Sequence, residues 1–179
     1  MKQPGCKRAV YLYGIGAIGI IAVLTALDQL TKLLAVSYLK EQLPIVLIDG
    51  ILELRYLENT GIAFGMFAGK INFFILTCVV FFIAALYFFL KVPKKRFYAP
   101  LILIELVLAA GAAGNFIDRI LYGYVIDFIY FKLIDFPIFN VADIYVVISC
   151  IGLFLLILFR YNDDDFKFLN FKCKDKKHE

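Results

Sequence analysis

Carboxylates are the only side chains in this 179-residue chain whose number and spacing suit catalysis. The stretch YVIDFIYFKLIDFPIFNVAD holds Asp127, Asp135 and Asp143, and sixteen uncharged residues follow it. An ionised acid at the mouth of such a run is costly unless something compensates it. Further acids lie at Asp28, Glu105 and Asp118. Asp28 and Lys32 are four apart, so a helix sets them side by side. Asn115, Asp118 and Arg119 share one helical face, and Asn140 and Asp143 share another. All three clusters fall at one end of the apolar runs, which argues for a site. Polar residues at span ends also pair or snorkel for structural reasons alone. Asp118 beside Arg119, and Asp28 within reach of Lys32, read as such paired supports. Asp127 and Asp143 have no basic residue three or four positions away. Held close together they could not both ionise, and one pKa would rise. A proton shared by two carboxylates is the aspartic-protease arrangement, provided the fold brings the two acids together.

Other chemistries lack parts. The one histidine, His178, is next to last, so Ser-His, Cys-His and His-rich zinc sites are not expected. Ser37 and Lys40 could pair at a helix end, although such spacings arise easily by chance. Cys78 and Cys150 lie within apolar runs, Cys6 and Cys173 near the termini, and no C-x-x-C occurs. Neither a disulfide framework nor a metal or other cofactor is expected.

These acids must be positioned by membrane helices. The chain is 63% hydrophobic and 19% charged, too apolar for a soluble domain of this size. Residues 9–27, 71–90, 97–114 and 141–159 form four runs, each long enough at about 1.5 Å per residue to cross a core of about 30 Å. The first run is longer than a signal-peptide core and is followed by Asp28-Gln29, so an uncleaved helix is expected. Segments 1–8, 91–96 and 160–177 hold 13 of the 19 Lys and Arg residues. That alternation places both termini in the cytoplasm and loops 37–70 and 120–140 outside. The net charge of +4 thus reflects topology and gives no hint of nucleic acid.

In the first outer loop, apolar and β-branched runs flank Asp49-Gly50, a two-residue hairpin signal. Leu52, Leu54 and Tyr56 then alternate with Glu53 and Arg55, as in a small sheet on the membrane surface with one greasy and one wet face. The second outer loop is rich in Tyr and Phe, which suits the interfacial belt. Residues 109–114 are all Ala or Gly and permit close helix contact. The expected organisation is a single four-span unit over residues 1–160, all-α apart from this extracytoplasmic hairpin cradle between helices 1 and 2. A charged, solvated tail over 161–179 would follow it.

Five blocks, DQLTK (28–32), NTGIAF (59–64), GNFIDR (114–119), VIDF (125–128) and FNVAD (139–143), occur in an order that resembles lipoprotein signal peptidase, the bacterial signal peptidase II family. The resemblance runs from Asp28 to Asp143. It implies an intramembrane aspartyl endopeptidase of the bacterial inner membrane, working near the outer face. Such an enzyme cuts the signal peptide from prolipoproteins just before the cysteine that carries diacylglycerol. The block matches imply Asp127 and Asp143 as catalytic pair and Asp118 as a supporting acid held with Arg119. They imply Asn59, Gly61, Asn115 and Asn140 around substrate or dyad, and Asp28 with Lys32 bracing helix 1. The implied partners are diacylglyceryl prolipoprotein, membrane lipids and the cyclic peptide inhibitor globomycin, with the enzyme a monomer. The expected chemistry is general acid–base hydrolysis by a carboxylate pair that titrates as a unit, without a covalent intermediate. Glu105 and Asp135 match no block. Two rival readings are a small proton-coupled transporter, which would need acids spread across the membrane depth, and an inactive structural subunit.

Overall fold

The structure, a computed structural model, describes residues 4–61 and 71–169, with side chains from residue 13 onward. Its helices are α1 (Pro4–Leu39), α2 (Ile71–Lys91), α3 (Ala99–Tyr122) and α4 (Val141–Phe159). Each contains a segment long and apolar enough to cross a membrane, as the four runs require. A helix is the form such a run adopts in lipid, because it satisfies its own backbone N–H and C=O groups.

Two helices outrun their apolar runs. α1 continues past Asp28 and Lys32 to Leu39, and α3 continues past Asp118 to Tyr122. Lys32 of α1 meets Asp28 and, across the α1–α3 contact, Asp118, so neither helix has to stop where the apolar residues end. Pro100 stands in the first turn of α3, and Gly123 closes that helix with φ of 83°. The small residues of α3 bring it close to α4. A Cβ on Gly111 would lie 2.6 Å from the carbonyl oxygen of Ala142, so no larger residue fits there without a shift.

The hairpin consists of β1 (Ile45–Ile48) and β2 (Leu52–Asn59), joined by three residues. Gly50 takes φ of 68°, and Ile51 N–H donates to Ile48 O at 3.0 Å. The expected two-residue turn is therefore one residue longer, a length that commonly uses a left-handed glycine. Glu53, expected on the wet face, is only 7% exposed because Lys132 covers it at 2.6 Å. The aromatic second loop also contains a strand, β3 (Val125–Phe131), which pairs antiparallel with β2 in the order β1-β2-β3. The Tyr- and Phe-rich loop, expected only at the interfacial belt, thus supplies the third strand of the sheet.

At the opposite end, residues 161–169 do not hang free as a solvated tail. Tyr161 is 5% exposed and stacks on Tyr98 at 5.9 Å, and Phe168 meets Phe88 edge-on at 5.7 Å. Burying these aromatics against the ends of α2 and α3 outweighs the pull of Asp163–Asp165 toward water. Residues 170–179, which include Cys173 and His178, lie outside the described residues, as do Ile62–Phe64 of the second block and the side chain of Cys6.

Candidate active site

The polar residues of α1 recur at helical spacing, Thr25, Asp28, Gln29 and Lys32, and this stripe faces α3. Thr25 Oγ1 donates to Ala110 O at 3.3 Å. Lys32 is 1% exposed, and its Nζ lies 2.9 Å from Asp28 Oδ2 and 2.9 Å from Asp118 Oδ2. It also donates to Asn115 Oδ1 at 3.0 Å. One buried cation thus holds two buried carboxylates and one amide. Asp28 Oδ1 accepts from the backbone N–H of Ala142 at 2.8 Å, which locks α4 onto α1. Asp118 accepts from Gln29 Nε2 at 2.9 Å and from Ile126 N–H at 3.1 Å, fixing the start of β3.

The expected Asp118–Arg119 pair does not form. Consecutive helix residues do not face each other, and Asp118 turns to Lys32 instead. Arg119 donates to Asn115 O at 3.2 Å, and its guanidinium lies 4.8 Å from the centre of the Phe74 ring. Its remaining donors border the cleft described below. The Ser37–Lys40 pair is absent too, since Ser37 Oγ donates to Leu33 O and Lys40 pairs with exposed Glu58 at 3.0 Å. Asp135 sits at φ of 49° and accepts from the Tyr130 hydroxyl at 2.6 Å, away from the other acids. The carboxylate oxygens of Glu105 are buried on the other half of α3, near Lys94.

Asp127 and Asp143 come together by different routes. β3 carries Asp127, and its register on β2 sets Asp127 opposite Leu57, two residues from Asn59. Asn59 Nδ2 donates to Asp127 Oδ2 at 2.8 Å, and Asn59 Oδ1 accepts from Gly61 N–H at 3.0 Å. Asp143 is the third residue of α4, and Asn140 caps that helix. Asn140 Oδ1 accepts from Asp143 N–H at 3.0 Å, while Asp143 Oδ2 accepts from Asn140 N–H at 3.1 Å, a reciprocal capping box. Asn140 Nδ2 donates to Asp127 Oδ1 at 2.6 Å and to Asn115 Oδ1 at 3.0 Å. Asn115 Nδ2 donates to Asp143 Oδ1 at 2.8 Å. Two asparagines therefore bridge two aspartates, and Lys32 orients one of them.

Both aspartates line a cleft of about 470 Å³ with Asn59, Gly61, Asn115 and Arg119. Its far wall is apolar, built from Phe136–Phe139 and from Ile144, Val147 and Ile148 of α4. Val147 is 55% and Ile148 59% exposed, so the cleft opens sideways toward lipid. Burial, reinforced by the neighbouring Asp143 carboxylate, pushes the Asp127 carboxyl up to about 7, against donation from Asn59 and Asn140. Such a group holds its proton near neutrality and can give it up. Among the described residues no cluster of three His, Cys, Asp or Glu side chains is placed to hold a metal.

Sequence reasoning missed Gln29, Phe74 and the backbone N–H of Ala142. Gln29 could have been found from the Thr25-Asp28-Gln29-Lys32 stripe. The other two depend on tertiary contact and leave no local mark.

Residues 20–159 match the family described as Signal peptidase (SPase) II. A lipoprotein signal peptidase of Caldanaerobacter subterraneus subsp. tengcongensis is 43% identical over 145 residues, covering 80% of this chain and 97% of that protein. One from Brevibacillus brevis is 44% identical over 140 residues, covering 78% and 92%. A bacterial membrane enzyme solved by the in meso method at 2.3 Å superposes with a TM-score of 0.73 at 34% identity, covering 80% of this chain and 87% of that one. A family match over residues 20–159, relatives matched over nearly their whole length and a shared fold agree: this multi-pass bacterial membrane protein belongs to the signal peptidase II family.

Proposed function

We propose that the protein is an aspartic endopeptidase that removes the signal peptide from diacylglyceryl-modified prolipoproteins, cutting before the lipidated cysteine. One observation carries this reading: two aspartates from different elements, bridged by Asn115 and Asn140, share a cleft whose other wall is apolar and open to lipid. The polar side suits a peptide bond, and the greasy side suits an acyl chain at headgroup depth.

In this mechanism Asp127 carries the shared proton and Asp143 is ionised. Asp143 takes a proton from a water whose oxygen attacks the scissile carbonyl carbon, and Asp127 gives its proton to the carbonyl oxygen. The resulting diol collapses as the C–N bond breaks. Asp143 passes its proton to the leaving amine of the lipidated cysteine, and Asp127 regains one from the diol. Arg119, held over Phe74 and unpaired with Asp118, binds a peptide carbonyl beside the scissile bond. Asn59 and Asn140 restrain the Asp127 carboxyl, while Asn115 and the α4 cap restrain Asp143. Placing the site at the extracytoplasmic end agrees with the basic residues gathered at the other end and with both termini in the cytoplasm. The transporter reading would need a relay of acids across the bundle. Instead the buried aspartates gather at one end, and among the described acids inside the bundle only Glu105 lies apart from them.

The direct test is to incubate the purified protein with a diacylglyceryl-modified prolipoprotein and its unlipidated precursor. Release of signal peptide from the lipidated form alone is the expected result. No release from either would overturn the proposal.

A further inference from the structure

A second cavity lies at the basic end of the bundle, far from the aspartates. α1 and α2 both pack on α3, leaving a groove of about 360 Å³ between them. Gly16, Ala17 and Ile20 of α1 form one wall, Phe89 of α2 the other, and Ile102 and Leu106 of α3 the floor. Its volume falls within the range of small-molecule sites, about 300–1,000 Å³. The lining is apolar and so accepts hydrocarbon. A Cβ on Gly16 would touch nothing within 4 Å, so α1 is open at this point of the groove rather than pressed against a neighbour.

Charge at the groove's mouth selects the occupant. Lys94 Nζ sits 3.9 Å from the centre of the Phe89 ring, on the groove wall, and donates to Val92 O at 3.2 Å. Lys95 and Arg96 follow, both exposed, within four residues of Ala99, which also lines the groove. Acids at this end are mostly engaged. Asp164 pairs with Lys167 at 2.7 Å, Asp165 accepts from Asn162 N–H at 3.0 Å, and Glu105 lies beside Lys94. Asp163 is the exposed exception. Lys95 and Arg96 thus remain without a carboxylate partner among the described contacts.

We propose that this groove binds one anionic diacyl phospholipid from the leaflet at the basic end, with an acyl chain against Gly16 and Phe89 and its phosphate at Lys95 and Arg96. Hydrocarbon groove and basic rim together match a phospholipid better than they match a second helix, which would have no use for the cations. Basic pockets between membrane helices on the Lys/Arg-rich side hold anionic headgroups in this way. The site lies at the opposite end from the catalytic proposal and stands independently of it.

The test uses full-length protein in mild detergent, equilibrated with phosphatidylglycerol or phosphatidylcholine and read by native mass spectrometry. Wild type should retain one phosphatidylglycerol in preference to phosphatidylcholine. The double variant Lys95→Gln/Arg96→Gln, altered only at exposed positions, should lose that preference by roughly ten-fold or more, since each basic residue near a surface contributes about 1 kcal/mol. Gly16→Leu should lose both lipids, with an unchanged melting temperature confirming that it folds. Equal retention of the two lipids by wild type would overturn the proposal. So would undiminished retention by folded Gly16→Leu, or a lipid-free dimer that Gly16→Leu disrupts.

Discussion

Replacing Lys32 by Met keeps the aliphatic stem and removes the cation. In the native protein that cation stands 2.9 Å from each of two carboxylates, on side chains between 0 and 1% exposed. Breaking a buried pair by deleting one partner costs about 3–5 kcal/mol, because the remaining charge stays buried without compensation. Here two acids are stranded, and total stabilities are only about 5–15 kcal/mol. For a chain of this size 1 kcal/mol moves the melting temperature by about 2–4 °C, so Lys32→Met should melt roughly 6–20 °C lower. Asp118→Asn in the same chain removes one stranded charge. The double variant should therefore be more stable than Lys32→Met alone, a coupling that only residues in direct contact show. Asn115 would also lose its cationic donor, so cleavage per folded molecule should fall as Asp143 loosens. Thermal unfolding of wild type, both single variants and the double variant in one detergent reads all four values. A Lys32→Met shift under about 2 °C, or strictly additive losses, would refute the reasoning that Lys32 anchors the site.

The proton on Asp127 has a pH signature. Its carboxyl stands near 7 in the folded protein against an ordinary value of 3.8, so folding takes up a proton between those limits. That contribution to stability is fully present below the ordinary value and is lost as pH rises through about 7. Melting temperature against pH should decline over this window in wild type and be flatter in Asp127→Asn, and wild-type cleavage should fall above about 7. Gly114→Ala would push a methyl into Asp28 Oδ2 and within 3.2 Å of Ala142 Cβ, so it should cost about 1–3 kcal/mol, read as a lower melting temperature. For topology, a reporter fused after Arg96 should read cytoplasm, and one inserted at Asp49-Gly50 should read the outer side. A cytoplasmic Asp49 would contradict the orientation.

The four spans were legible because continuous apolar runs of spanning length have few other uses. The helical placement of Asp28 with Lys32 and of Asn115 with Asp118 was legible too, whereas the meeting of Lys32 with Asp118 across two helices was not. The same long-range neutralisation explains why Arg119 was matched with the wrong partner, since adjacency in sequence is not adjacency on a helix. Strand β3 was hidden for a different reason. VIDFIYF reads equally well as an interfacial aromatic stretch, and only pairing with β2 makes it a strand. The carboxylates stood out by elimination and the resemblance named two of them, but their convergence through Asn115 and Asn140 required the fold.

The central claim is that Asp127 and Asp143 act as one acid–base unit, and cleavage by Asp127→Asn, Asp143→Asn and their double variant tests it most directly. Both replacements keep shape and a hydrogen-bonding amide while removing the titratable group. The rate per folded molecule on a diacylglyceryl-modified prolipoprotein should nearly vanish in each single variant, and the double variant should be little worse, because losses within a unit do not add. Asp118→Asn should keep measurable turnover per folded molecule while lowering the melting temperature. If Asp127→Asn cleaves normally, or folded Asp118→Asn loses all turnover, the acid–base pair lies elsewhere and the account fails.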